Sequence, residues 1–193
     1  MRYDDEHKQR TRERVLKEAA KAIRATGPHR IGVADVMAKA GLTHGGFYAH
    51  FDSKDAMIAA AIDTMFESAG ERWTHETRDR APSEALAAYI DFYLSMAHRD
   101  ARSGGCPIAA LAADLPRLTP TCRASFAAGV DRLSARVAGQ LEALGRDYAE
   151  TLGRSVVAEL VGALSFARIE PAREKAEAML AASRQVLRRR VGV

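Results

Sequence analysis

The sequence predicts an all-α protein of nine helices, a small three-helix head followed by a larger helical body. Three observations carry that expectation. Hydrophobic residues make up 47% of the 193 positions and aromatic ones only 6%, and the abundance of Ala and Leu favours helix over sheet. Apolar residues recur three and four positions apart through one stretch after another. Alternating apolar runs long enough for a strand are absent, as is any repeat of roughly 20–50 residues.

The first helix is expected over residues 5–26, with Val15, Ala19, Ala22 and Ile23 on one face, and Gly27-Pro28 ends it. Glycine tolerates the backbone turn there and proline cannot extend the hydrogen-bond ladder. A short second helix over 33–40 turns Val33, Val36 and Met37 inward and stops at Gly41. Thr43 is placed to cap a third short helix whose apolar side is Phe47 and Phe51. Two short helices joined by Ala40-Gly41-Leu42-Thr43 read as a helix-turn-helix.

Ser53 caps a long fourth helix running to about residue 80, with Ile58, Ile62, Met65, Phe66 and Trp73 inward. Pro82-Ser83 opens a fifth helix to about residue 102, and Gly104-Gly105 breaks it before a short apolar segment over 106–114. Three further helices are expected at about 121–144, 147–169 and 171–189, separated by Gly145 and by Glu170-Pro171. The division this suggests is a small head over 1–55 and a larger body over 56–193.

Charge is distributed unevenly. Between His7 and His50 nine Lys/Arg face three acidic residues, a surplus larger than the +4 of the whole chain. A basic end on a near-neutral body suits binding to nucleic acid, although a solvated helix face would show the same excess. The polar, acidic start over residues 1–6 has no signal-peptide core and no window is apolar enough to span a bilayer, so a cytoplasmic protein is expected. Two cysteines, Cys106 and Cys122, are too few for a disulfide framework, and no Cys/His cluster has zinc spacing. Neither a metal nor a cofactor is expected.

The stretch from Ala40 through His44-Gly45-Gly46-Phe47-Tyr48-Ala49-His50-Phe51 to Ser53-Lys54-Asp55 resembles the recognition segment of the TetR/AcrR family of bacterial transcriptional regulators. The signature covers about residues 10–60, and the family's all-helical body agrees with the rest. This likeness implies that 1–55 is a DNA-binding head and 56–193 a ligand-binding and dimerisation body. Gly104-Gly105-Cys106-Pro107 further resembles a feature of one subgroup. The resemblance implies that Thr43, His44 and Gly45 face the major groove, that Tyr48 and His50 reach phosphates or bases, and that Lys54 holds a phosphate. Gly46, beside Gly45, lets the backbone approach DNA, and Arg30 adds a phosphate contact. The chain departs from the family at His44, where lysine is frequent, and at Gly32, where a Thr usually caps the second helix.

In the body, Trp73, Tyr89, Phe92, Met96, Phe126 and Phe166 are candidates for lining a ligand cavity, although aromatic residues at helical spacing also simply fill cores. Cys106 follows two glycines at an expected helix start, where the dipole would lower its thiol pKa and suit a sensor of oxidants or electrophiles; a small buried hydrophobe is the plainer reading. Leu152, Val156, Leu160, Ala163 and Leu164 are expected to pack the last two helices against their copies in a homodimer. The function expected is a transcriptional regulator, not an enzyme: a repressor bound to near-palindromic double-stranded DNA and released by a small-molecule or electrophile inducer. The rivals are a helical adaptor without specific DNA binding, and a thiol enzyme using Cys106 with His98 as base.

Overall fold

The computed structural model describes residues 2–193, with side chains from Glu6 onward; the side chains of the polar start lie outside the described residues. Those residues form nine α-helices, three short 310 segments and no strand. Helix α1 (Arg2–Thr26) is followed by a 310 turn at Pro28–Arg30 and by α2 (Val33–Lys39). A 310 segment, His44–Ala49, leads into α3 (Lys54–Thr77). The body continues with α4 (Pro82–Tyr93), α5 (Met96–Asp100), α6 (Pro107–Leu111), a 310 turn at Leu115–Arg117, α7 (Pro120–Ala143), α8 (Ala149–Ile169) and α9 (Arg173–Val191).

The head forms because α1, α2 and the start of α3 each offer a narrow apolar stripe. Val15, Ala19 and Ile23 from α1, Val36 and Met37 from α2, and Phe47 and Phe51 from the recognition segment are all buried together. The corner after α2 closes as a helix stop: Gly41 takes φ +71°, its N–H donates to the Ala38 carbonyl, and the Leu42 N–H reaches back to Met37. In α3 the Ser53 hydroxyl accepts the Ala56 N–H at 3.0 Å, as its position before Lys54 predicts.

Three boundaries differ from the pattern. The recognition segment is 310 throughout, with Gly46 N–H bonded to Thr43 and His50 N–H to Phe47, since six residues with two glycines do not sustain α-helical bonding. The helix expected over 82–102 breaks at Leu94-Ser95, because the Ser95 hydroxyl captures the His98 N–H and starts α5 anew. Helix α3 stops at Thr77 before Asp79, which takes φ 57°.

In the body α7 packs along α8, α3 and α4, and α8 in turn packs on α9. Gly153 permits the α7–α8 approach, since a Cβ there would lie 3.0 Å from the Ala138 nitrogen and the Ser134 carbonyl. Helix α3 belongs to both parts: it contacts α1 in the head and α7 in the body. Two arginines clasp α5 to the end of α8. Arg99 donates to the carbonyls of Ala167 and Glu170 at 2.7 and 2.8 Å, and Arg168 returns bonds to those of Arg99 and His98.

Helix α8 is apolar on two sides, and this redirects the expected dimer contacts. Val156, Leu160 and Leu164 are fully buried within the protomer, and Leu152 and Ala163 are half-buried. The outward side carries Ser155, Ala158 and the exposed Phe166 and Ile169, while α9 exposes Met179, Ala182 and Val186. Among the described residues no helix is long and apolar enough to cross a membrane.

Candidate DNA-binding face and ligand cavity

The recognition segment separates its residues sharply. Phe47 is buried at 2% exposure while its neighbour Tyr48 is 72% exposed, and their rings meet edge to face at 5.2 Å. Thr43, His44 and Gly45 are exposed beside Tyr48, Gly46 is half-buried, and Arg30 is exposed. The single helical turn that puts Phe47 into the core therefore aims Tyr48 outward. A Cβ on Gly45 would meet nothing within 4 Å, so the fold itself does not require glycine there.

His50 and Lys54, both half-buried, flank this face. Burial, reinforced by Lys8 and Arg12, pushes the His50 pKa below its usual value and so disfavours its cationic form. Its Nδ1 is buried without a hydrogen-bond partner in the protein. Arg12 rests over the Phe51 ring at 5.0 Å, so α1 is fastened to the recognition segment by a cation–π contact.

The second feature is a half-open cavity of about 840 Å³ lined by α1, α3, α4, α5, the loop before α6, the start of α6, and α7. Of the expected lining residues, Tyr89, Phe92 and Cys106 face it. The other four do not. Trp73 lies behind Tyr89, their ring centroids 4.4 Å apart, and Phe126 lies against Phe66, which itself lines the cavity. Met96 is half-buried away from the lining, and Phe166 points outward with 63% exposure because that side of α8 faces away from α7. Sequence reasoning missed Arg24, Phe66, Tyr93 and His98 as lining residues. Ser95 three positions before His98 was the available signal for the turn that swings His98 inward.

The cavity floor is a closed hydrogen-bond cluster. His98 Nδ1 lies 2.8 Å from the Tyr93 carbonyl, and the Cys106 N–H donates to His98 Nε2 at 3.0 Å. A carbonyl only accepts and an amide only donates, so His98 is the neutral tautomer with its proton on Nδ1. Burial lowers its pKa to about 4. The Tyr93 hydroxyl donates to Cys106 Sγ at 2.9 Å. Burial pushes the thiol pKa up, outweighing the Tyr93 hydroxyl and the Ala109 and Ile108 N–H groups that favour the thiolate. The expectation of a lowered thiol pKa is thus corrected: desolvation exceeds the effect of the short helix start. His98 engages the backbone of residue 106, not its sulfur, so the two form no nucleophile–base pair. Cys122 is a packing residue joining α7 to α3, its thiol 3.6 Å from the Asp55 carbonyl.

A helix-turn-helix head sharing one long helix with a cavity-bearing helical body is the architecture of bacterial transcriptional regulators. The family described as bacterial regulatory proteins, tetR family, matches residues 15–61, and a tetracyclin repressor-like C-terminal domain matches residues 82–167. The HTH-type transcriptional regulator Rv0196 of Mycobacterium tuberculosis is 31% identical over 168 residues, covering 82% of this chain and 84% of that protein. The HTH-type regulator TtgR of Pseudomonas putida is 32% identical over 68 residues, which span 35% of this chain and only 32% of TtgR. A solved TetR regulator from Chloroflexus aurantiacus superposes with a TM-score of 0.79 at 26% identity, covering 94% of each chain. The chain belongs to the TetR family of transcriptional regulators, with a helix-turn-helix head and a ligand-binding type of C-terminal domain.

Proposed function

We propose that the chain is a cytoplasmic, homodimeric repressor that binds a near-palindromic operator and releases it when a small molecule occupies the cavity. The observation that carries the DNA-binding reading is the exposed Thr43–Gly45 and Tyr48 surface. It is a face with hydrogen-bonding groups and an unfilled glycine that the protein's own packing does not use. Tyr48 and His44 bind phosphate or base edges, Gly45 and Gly46 allow close approach, and Arg30, His50 and Lys54 anchor the flanks. A twofold dimer places two such heads on successive major-groove segments.

For the dimer, the outward stripe of α8 and α9 is the better interface than the expected leucines: Phe166, Ile169, Met179 and Val186 form it, with Leu152 and Ala163 at its edge. The working division keeps the head at 1–55 and the body at 56–193, with α3 as the lever across the boundary. An inducer that binds better to the DNA-incompetent spacing of the heads shifts the population toward it.

A second reading concerns the inducer. Cys106 lines the cavity, so an α,β-unsaturated carbonyl entering there can be attacked by its sulfur: the carbon–sulfur bond forms as the C=C π bond breaks, and the proton lost by the thiol is made up, through solvent, at the α-carbon. The raised thiol pKa makes this reaction slow at neutral pH and faster as pH rises.

Fluorescence anisotropy of the protein on its own upstream DNA, against scrambled DNA over a salt series, tests the function. Selective binding that weakens steeply with salt and is lost in Tyr48→Ala supports it. Absence of binding to any DNA at low salt supports the adaptor instead. Release by N-ethylmaleimide that persists in Cys106→Ser removes the thiol reading.

A further inference from the structure

The polar groups around the cavity are nearly all committed to one another. His98 has both ring nitrogens engaged and the Tyr93 hydroxyl is spent on Cys106. Arg72 lies 3.3 Å from Glu76 and over the Phe92 ring, and His75 also meets Glu76. Arg24 is different. It is half-buried on the lining, forms no ion pair among the described residues, donates one bond to the Met65 carbonyl at 3.1 Å, and keeps a buried Nε with no acceptor. A guanidinium offers five donors in a planar fork, and a partly desolvated one without a counter-charge is costly. The surrounding wall is apolar, formed by Phe66, Tyr89, Phe92, Ile108 and Leu133. Glu71 also borders the cavity but is solvent-exposed.

We propose that the cavity binds an apolar carboxylate, with Arg24 as its counter-ion. The ring or chain of the ligand lies against the aromatic wall and the carboxylate takes the unused donors of the guanidinium. This rests on the regulator reading above and adds to it a ligand class and a route. Arg24 belongs to α1 of the head, and its bond to the Met65 carbonyl joins α1 to α3. The carboxylate takes the unused donors and leaves that bond in place, so it pulls on the guanidinium at the α1–α3 joint and the ligand acts on the head directly as well as through the body.

Calorimetric titration of the full-length protein with 2-naphthoate, 2-naphthamide and 2-naphthylmethylammonium tests this, because the three share an apolar body and differ in charge. Wild type is expected to bind naphthoate at least about tenfold more tightly than the amide, and the ammonium most weakly. Arg24→Gln lowers naphthoate affinity by about 10- to 100-fold and leaves the amide unchanged, Arg24→Lys recovers part of the loss, and Arg78→Gln, an exposed cation off the cavity lining, has little effect. Thermal melts establish that the variants fold; if neither Arg24 variant does, the selectivity of the wild type among the three probes decides. Equal binding of naphthoate and amide, preference for the ammonium, no binding of naphthoate, or indifference to Arg24→Gln overturns the proposal. DNA binding by wild type, measured separately, reports on the regulator reading alone: a protein that binds its operator but prefers the amide or the ammonium keeps that reading and loses this one.

Discussion

Lowering the pH should weaken this protein through one histidine. In the unfolded chain the His98 imidazole takes a proton near pH 6.5, whereas in the fold it does so at about 4. Between those values the unfolded state holds more protons, so the stability contributed by neutral His98 is complete above pH 6.5 and falls as pH falls toward 4. From about pH 7.5 to about pH 5 the loss from this single group is about 2 kcal/mol per protomer. The structural cause is twofold. The ring is 5% exposed, stacked on Phe92 and edge-on to Tyr93, and a proton on Nε2 would confront the Cys106 N–H that now donates to it. Two assays check the argument. NMR titration of the imidazole carbon-bound protons should give a His98 midpoint near 4. Urea unfolding at fixed protein concentration should show a pH dependence in wild type that His98→Gln reduces by the amount stated. A midpoint at or above that of a free imidazole, or an identical pH dependence in the variant, would refute the account of His98 as a buried neutral group.

The other predictions concern separate parts of the molecule. Gly45→Ala should leave stability unchanged or raise it by about 0.5 kcal/mol, since space is open there, while weakening operator binding at least about tenfold in anisotropy. Gly129→Ala should destabilise by about 1–3 kcal/mol in urea unfolding, because its Cβ would overlap the Phe66 ring. Phe166→Glu combined with Ile169→Glu should convert the proposed dimer to monomer in analytical ultracentrifugation with helix content retained, since both side chains are exposed in the protomer. Leu160→Ala should instead cost about 2–5 kcal/mol of stability, as expected of a core leucine.

The head was readable because short-range rules decide it. Gly41 needs a positive φ, Ser53 needs a backbone N–H to cap, and Phe47 beside Tyr48 can send only one of the two rings inward. The body was readable as helices but less so as surfaces. Helix α8 has apolar residues on both sides, and periodicity does not say which stripe meets α7 and which is left outside. Periodicity as readily puts Val156, Leu160 and Leu164 outward and Phe166 inward, the reverse of their places. Arg24 sits in a basic run that suits nucleic-acid binding or a plain solvated face, and only the tertiary fold brings it onto the same cavity lining as Phe66 and Tyr89. The Cys106 environment escapes the sequence for a related reason: a helix start is visible there, whereas the desolvation that outweighs it comes from distant segments.

The clasp between α5 and α8 has one more implication. Five residues are too few to hold a helix by themselves, so α5 takes its position from the arginine bonds that tie it to the end of α8. That end also carries Phe166 and Ile169 on the stripe where a second copy would pack. Linkage is reciprocal, so in a dimer built this way the partner becomes an effector of the cavity. Dilution, or a substitution far from the lining, would then shift ligand affinity, and the measured strength of an inducer would depend on how firmly the two subunits are held together.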